Sequence, residues 1–254
     1  MRVGPIRALS AAALSYRAPL LPPPYRRNAL LRAHAASFAA PPSSSVQLVY
    51  DRAAQGDLDG AAAAMDSLTA DDVGLLRAGA MDPPPPGSAP GDPVSYHHVH
   101  STDSLSIGIF VLPPGAALPL HDHPGMTVLS KLLFGSLRVT SYDMPGGEPP
   151  SLSFFGGQER RLQCAEPSIS TVSAPCATMG LGPSEGNIHA FEALEHTAIF
   201  DVLTPPYSDR DGRSCHYYEK EDAGPEGGVV LREVPWPASL RVVNRPYRGP
   251  SVLS

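Results

Sequence analysis

From Val94 onward the chain is cut into short apolar and β-branched runs by proline and glycine turns, and that pattern leaves room for little except a β-sandwich or barrel. The runs are Val94–Val99, Leu105–Leu112, Leu118–His123, Met126–Phe134, Leu137–Tyr142, Leu152–Phe155, Ser168–Val172, Asn187–Leu194, Thr197–Leu203, Cys215–Tyr218, Val229–Glu233 and Leu240–Val242. Between them stand turn signals such as Pro113-Pro114-Gly115, Phe134-Gly135-Ser136, Pro145-Gly146-Gly147, Gly180–Gly186 and Pro205-Pro206. The 30 prolines and 23 glycines of the 254 residues fit many turns and few long helices.

Upstream the periodicity is helical. Val46, Val49, Tyr50 and Ala53 recur at i, i+3, i+4 and i+7, which puts them on one face. Asp57 is placed to cap a second, alanine-rich helix over Leu58–Leu68, and Thr69 to cap a third turn that opens with Asp71 and Asp72. These features define a helical lead-in over 45–81. Residues 82–93, with four consecutive prolines, read as an extended linker. The β region then runs over 94–247, and 248–254 is left as a tail.

Charge is unevenly spread. Residues 1–44 hold six arginines and no acid, together with many alanines and serines, the composition of an organelle transit peptide that is disordered and excluded from the fold. Mitochondrion and plastid are not separated by composition; without a transit function the address is cytoplasm and nucleus. The remaining 13 Lys and Arg face all 25 Asp and Glu, a net −12, which argues against non-specific nucleic-acid binding. No apolar run reaches the ~18 residues that span a bilayer. Three cysteines, Cys164, Cys176 and Cys215, are too few for a disulfide framework.

The chemistry concentrates in Gly115–Gly135, GAALPLHDHPGMTVLSKLLFG. On a strand, His121 and His123 project to the same face and Asp122 to the other, so two imidazoles meet at one point, as a first-row transition metal requires. The third ligand candidate is His189, after Gly186; His196, in a polar turn, and His216 are the alternatives. His97, His98 and His100 cluster before a strand and read as rim residues.

The spacing of glycines and histidines resembles the first cupin motif, G-x5-H-x-H-x4-E-x6-G, with Val128 in the glutamate position. Gly186 and His189 match part of the second, P-x-G-x2-H-x3-N, with Ser184 and Ala193 in the proline and asparagine positions. Three neutral imidazoles leave a divalent metal its full charge, which favours an anionic soft ligand such as a thiolate. Two longer segments carry a closer resemblance. Residues 107–143, with HDHPGM, and 186–218, with PPYS and the GR-x-C-x-Y run, are similar to the thiol dioxygenases of the plant cysteine oxidase and 2-aminoethanethiol dioxygenase family, as is Thr69–Leu75. The likeness covers about 46–246.

The resemblance implies a cupin-type double-stranded β-helix, or jelly-roll barrel, holding one iron(II) through His121, His123 and His189. The implied reaction adds both atoms of dioxygen to a thiol, giving a sulfinic acid. The implied substrates are an N-terminal cysteine of a protein or peptide, or cysteamine; in the plant branch this oxidation marks proteins for oxygen-dependent degradation. Asp201 and Tyr207 match the family's active-site acid and tyrosine. Cys215 and Tyr217 match a pair capable of a thioether crosslink. No nucleic-acid or membrane partner is expected, and the chain is expected to be a monomer. Two other readings stay open: another metal-dependent cupin, an isomerase or a different oxygenase, which would want a carboxylate at Val128; and a non-catalytic small-molecule-binding cupin.

The residues speak for themselves on some of these points. Asp201 interrupts the apolar run Ala198–Leu203, and a carboxylate there needs a partner or a function, such as binding a substrate's ammonium, or else it caps the Pro205-Pro206 turn. Tyr207 follows two prolines that fix its backbone. Cys215 and Tyr217, two apart, share a strand face, with His216 on the other. Free cysteine would call for a cationic clamp on its carboxylate. Lys131 is the only such group in the proposed core strands, provisionally on the histidine face unless the Pro124-Gly125 turn reverses it; Arg138 and Arg213 are the next candidates.

Overall fold

A computed structural model describes residues 44–75, 89–144, 160–221 and 228–254. The runs 1–43 and 76–88 lie outside the described residues, and with them the transit-peptide reading and most of the proline linker; so does the expected strand Leu152–Phe155.

The lead-in is helical as its periodicity predicts. Helix α1 (Ser45–Ala54) buries Val46, Val49, Tyr50 and Ala53, and Ser44 caps it by accepting from the Gln47 amide. Asp57 caps α2 (Leu58–Asp66), accepting from the Gly60 amide at 2.9 Å. Thr69 and Asp72 bond reciprocally, amide to side chain in both directions, around the 3-10 turn Asp71–Val73. Burying side chains such as Val46 and Met65 completely is worth about 1.5–3 kcal/mol each, more than short helices gain from propensity.

Thirteen strands follow among the described residues: β1 (Val94–Ser101), β2 (Ser106–Leu112), β3 (Ala117–His121), β4 (Thr127–Phe134), β5 (Ser136–Tyr142), β6 (Arg161–Cys164), β7 (Ser168–Ser173), β8 (Met179–Leu181), β9 (Ile188–Ala193), β10 (Thr197–Thr204), β11 (Tyr217–Glu221), β12 (Val229–Val234) and β13 (Val242–Arg245). They form two sheets, β13-β1-β2-β10-β4-β8 and β6-β12-β11-β3-β9-β5-β7. Every pairing is antiparallel except β1 with β13. Successive strands repeatedly alternate between sheets, the winding of a double-stranded β-helix. β6 and β8 are short strands that the apolar pattern did not predict, and the last expected strand is displaced from Leu240–Val242 to Val242–Arg245.

Alternation along the strands sorts two cores. Leu112, Leu132 and Ile199 of the first sheet meet Leu118, Leu137 and Phe191 of the second between the sheets. Ile107, Ile109, Leu129, Leu133, Phe200 and Val202 point the other way, onto Val46, Val49 and Met65 of the helices. The segment after the last strand belongs to this outer layer rather than hanging free: Gln47 and the Leu253 backbone bond to each other twice, at 2.8 and 2.9 Å. Gly135 holds φ +89° between β4 and β5, where a Cβ would fall 2.5 Å from the His196 carbonyl oxygen, so only glycine makes that turn.

Candidate metal centre

Strand alternation alone would turn His121 outward. Leu118 faces the inter-sheet core, and three steps later strict alternation points out. The register resolves this: Leu118 pairs with Phe191 and His121 with His189, so β3 spends three residues where β9 spends two. The extra residue is a β-bulge that re-aims His121 into the interior. Across the second sheet the directly opposed residues then run Tyr217, His121, His189, Ser141, one from each of four neighbouring strands and all on one face.

His123 completes the group. The ring centroids of His121, His123 and His189 lie 4.8–4.9 Å apart pairwise, and one nitrogen from each falls within 4.8 Å of the other two. Each Nδ1 faces a backbone carbonyl: His121 that of Pro119 at 2.8 Å, His189 that of Gly186 at 3.2 Å, His123 that of Asn187 at 3.4 Å. A ring that donates its Nδ1–H to a carbonyl keeps the Nε2 lone pair for a metal and has its orientation fixed. Burial drives all three pKa values down, His189 to about 3 and His123 well below the ordinary range, with the neighbouring imidazoles adding to the fall at those two. The rings are therefore neutral at physiological pH, the form that binds metal. Among the described residues this is the one group of histidine, cysteine and acid side chains with such spacing. Three neutral, pre-oriented imidazoles fit a first-row divalent ion.

His123 lies beyond the end of β3, so no ladder holds it. Asn187 does so instead: its Oδ1 accepts from the His123 amide at 3.1 Å and its Nδ2 donates to the His123 carbonyl at 2.8 Å, imitating a strand pairing with a side chain. The sequence reading passed over Asn187; its signal was a polar residue just ahead of an apolar strand that carries a ligand.

Beside His189 lies a cleft of about 120 Å³, lined by Val128, Ser130, Val139, Ser141, Met179, Leu181 and Phe191 among others; among the described residues no lysine or arginine lines it. Val128, in the position where cupins carry glutamate, faces this cleft without a donor. A larger cleft of about 300 Å³, at Gly91–Val94 and Pro114–Ala117, contains none of the candidate site residues.

Asp201 reaches the same interior from the opposite sheet. It opposes Ser130 on β4 and Gly108 on β2, and the Ser130 hydroxyl donates to it. The carboxyl is 7 % exposed, and its Oδ1 has no hydrogen-bond partner. Burial raises its pKa to about 7. It does not cap the Pro205-Pro206 turn. Tyr96 lies against Gly108, where a Cβ would stand 2.6 Å from its ring, and burial followed by the charge of Asp201 raises its phenol pKa.

Tyr207, Cys215 and Tyr217 gather on the other flank of the triad. The Tyr207 ring is 5.4 Å from that of His123, and its hydroxyl donates to the Asp122 carbonyl at 2.8 Å. Tyr217 is 6.2 Å from His121, and Cys215 interacts with both phenols. Cys215 precedes β11 rather than lying on it, yet it still shares its side with Tyr217. Burial pushes its thiol up to about 12, so it stays protonated.

The other candidates lie elsewhere. His216 and Asp122 bond to each other, and the His196 ring packs at a tilt against Phe134, centroids 4.9 Å apart. His97 faces the Pro246 carbonyl, His98 the Ser101 hydroxyl, and His100 the Tyr50 ring. Lys131 is a correction: the Pro124-Gly125 turn does reverse the parity, and its side chain points to the helical face, donating to the Cys176 carbonyl. Arg138 pairs with Glu192 on the exposed surface, and Arg213 with Asp211 and the Pro206 carbonyl.

A double-stranded β-helix with three histidines converging between its sheets defines a cupin with a metal-binding triad. The PCO_ADO family matches residues 64–252, and the chain belongs to that family of thiol dioxygenases. It is 34 % identical over 217 residues to 2-aminoethanethiol dioxygenase of Homo sapiens, covering 74 % of this chain and 78 % of that protein. To plant cysteine oxidase 1 of Arabidopsis thaliana it is 40 % identical over 158 residues, covering 61 % of this chain and 52 % of the relative, about half its length. Similar solved structures include an RmlC-like cupin from Desulfovibrio desulfuricans (TM-score 0.30, 16 % identity, 45 % of this chain and 84 % of that one). Another is a cupin superfamily protein from Desulfitobacterium hafniense (TM-score 0.33, 12 % identity, 52 % and 98 %).

Proposed function

We propose that this chain is an iron(II)-dependent thiol dioxygenase, with His121, His123 and His189 holding the metal and a thiol that carries a free amine as substrate. The observation that carries the reading is the pairing of a buried three-histidine triad with an acid, Asp201, that is buried beside Ser130 of the cleft wall and has an unpartnered oxygen. Bound iron(II) supplies the redox chemistry by which R–SH and O₂ become R–SO₂H. The protein's own part is positional. Asp201 and Ser130 offer a charged acceptor and a hydroxyl to the substrate ammonium; a charge-assisted hydrogen bond of this kind is worth about 1.5–3 kcal/mol. Val128, Val139, Met179 and Phe191 exclude water around the sulfur. Tyr207 and Cys215 present neutral, protonated groups at the opposite flank.

Among the described residues the cleft wall offers no cation to receive a carboxylate, which favours a cysteine at a peptide N-terminus, or cysteamine, over free cysteine. A protein N-terminal cysteine oxidised in proportion to dioxygen would make the chain an oxygen sensor. The test is metal analysis followed by oxygen uptake with a cysteine-initiated peptide, cysteamine and free cysteine side by side, at several dioxygen concentrations. Absence of iron together with no thiol-dependent uptake refutes the enzyme; preference for free cysteine refutes the substrate class.

A further inference from the structure

Asp122 lies between two of the triad histidines and faces away from them, yet it is completely buried and every polar group it has is engaged. Its carboxylate accepts from the His216 amide at 2.8 Å and from the Tyr218 hydroxyl at 2.8 Å, meets the His216 ring at 3.1 Å, and has the Arg160 guanidinium at 3.8 Å. Its amide donates to the His216 carbonyl at 3.1 Å, and its own carbonyl accepts from Tyr207. Six contacts thus tie one residue to the segment 216–218, to Arg160 and to Tyr207.

We infer that Asp122 is a positioning residue of the metal centre: alongside the bulge and Asn187, it holds the inward direction of both His121 and His123 by anchoring the backbone between them to the start of β11. The reasoning is geometric. β3 ends at His121, and Pro124-Gly125 turns the chain away, so the peptide that joins the two ligands has no ladder beyond the pairs His121 makes with Tyr217 and His189. Each ligand ring has its Nδ1 fixed, but a ring is only as well placed as its Cα. A loop dipeptide free to rotate would spread the two Nε2 atoms, and a metal would have to reorder them on binding. The anchored carboxylate removes that freedom in advance. The same residue carries the Tyr207 hydroxyl on its carbonyl, so the ligand pair and the Tyr207–Cys215–Tyr217 group share one support.

Tyr218 makes this testable. It points to the opposite side of β11 from Tyr217, packs among Leu162, Val229 and Leu231, and reaches the centre through Asp122. The inference rests on the triad binding metal, so the probe is Co(II) alone, titrated into the full metal-free chain under a competing chelator, with the visible absorption spectrum recorded. Asp122→Asn should weaken Co(II) binding about 10- to 100-fold, the range typical for partners that orient ligands. Tyr218→Phe should weaken it severalfold and change the spectrum. The double variant should bind no worse than Asp122→Asn, because Tyr218 acts through Asp122. Arg232→Gln, on the neighbouring β12, serves as the control and should leave binding unchanged. Folded fraction is measured in parallel, so that a variant that is merely less stable is recognised. Tyr218→Phe with lowered thermal stability but unchanged affinity and spectrum would overturn the inference, as would additive losses in the double variant. A parent chain that binds no Co(II) sinks the metal centre itself, and this inference with it.

Discussion

Asp201→Asn should make the metal-free protein more stable above neutral pH while making it a poorer enzyme. Burial raises the Asp201 pKa from the ordinary 3.8 to about 7, and only the Ser130 hydroxyl opposes the rise. The sign follows from proton linkage. Below about pH 4 the carboxyl is protonated whether the chain is folded or not, and it costs nothing. Between about pH 4 and 7 the unfolded chain loses the proton and the folded chain keeps it, so unfolding releases a proton and stability falls as pH rises. Above about pH 7 both states are ionised and the whole cost is present. At about 1.4 kcal/mol per pKa unit, the rise corresponds to about 4 kcal/mol, an upper bound because solvent relaxation around the charge reduces it. Asparagine has nearly the same shape, keeps an acceptor for Ser130 and cannot ionise.

The assay is denaturant unfolding of parent and variant, without metal, from about pH 4 to 8. The two should be similar at the acid end and diverge by a few kcal/mol at the alkaline end, the variant being the more stable. Turnover should move the other way: losing the charged acceptor for an ammonium should lower kcat/KM on a cysteine-initiated peptide about 10- to 100-fold. Parallel stability profiles across the range would refute the reasoning, because they would show that Asp201 ionises as easily folded as unfolded. A residue that costs stability in the fold and is kept for turnover is the expected signature of a functional charge.

His189→Ala should abolish stoichiometric iron binding, whereas His196→Ala should leave it intact; iron content measured on the two folded variants checks the third ligand, and equal content would exclude His189. Residues 1–44 are proposed to carry an organelle address. Fused to a fluorescent reporter they should move it out of the cytosol, and a uniform cytosolic and nuclear signal would refute that reading.

The helices were readable because they are periodic, and the central strands because they are short apolar runs between turns. Val46, Val49, Tyr50 and Ala53 bury one helical stripe, and β2, β4 and β10 are near-continuous buried runs, as strands covered on both faces should be. Edge strands β6 and β8 escaped notice: RLQC and MGL are too short to show a period, and it is pairing with β12 and β4 that makes them strands. At the site, residue types were legible and directions were not. His-x-His shows that two imidazoles share a side, but the side depends on the extra residue between Leu118 and His121, and a second break in parity, at the Pro124-Gly125 turn, explains why Lys131 was placed with the histidines when it points to the helices. Asp122 and Asn187 were invisible for a related reason. They meet their partners across more than sixty residues of chain, and no local pattern records a hydrogen bond of that range. The bulge and these two side chains solve one problem, that of making three ligands converge where a regular strand would hold at most two. The irregular residues next to the triad are therefore those on which its geometry depends most, and substitutions there should disturb metal binding more than equally conservative ones in the regular strands on either side.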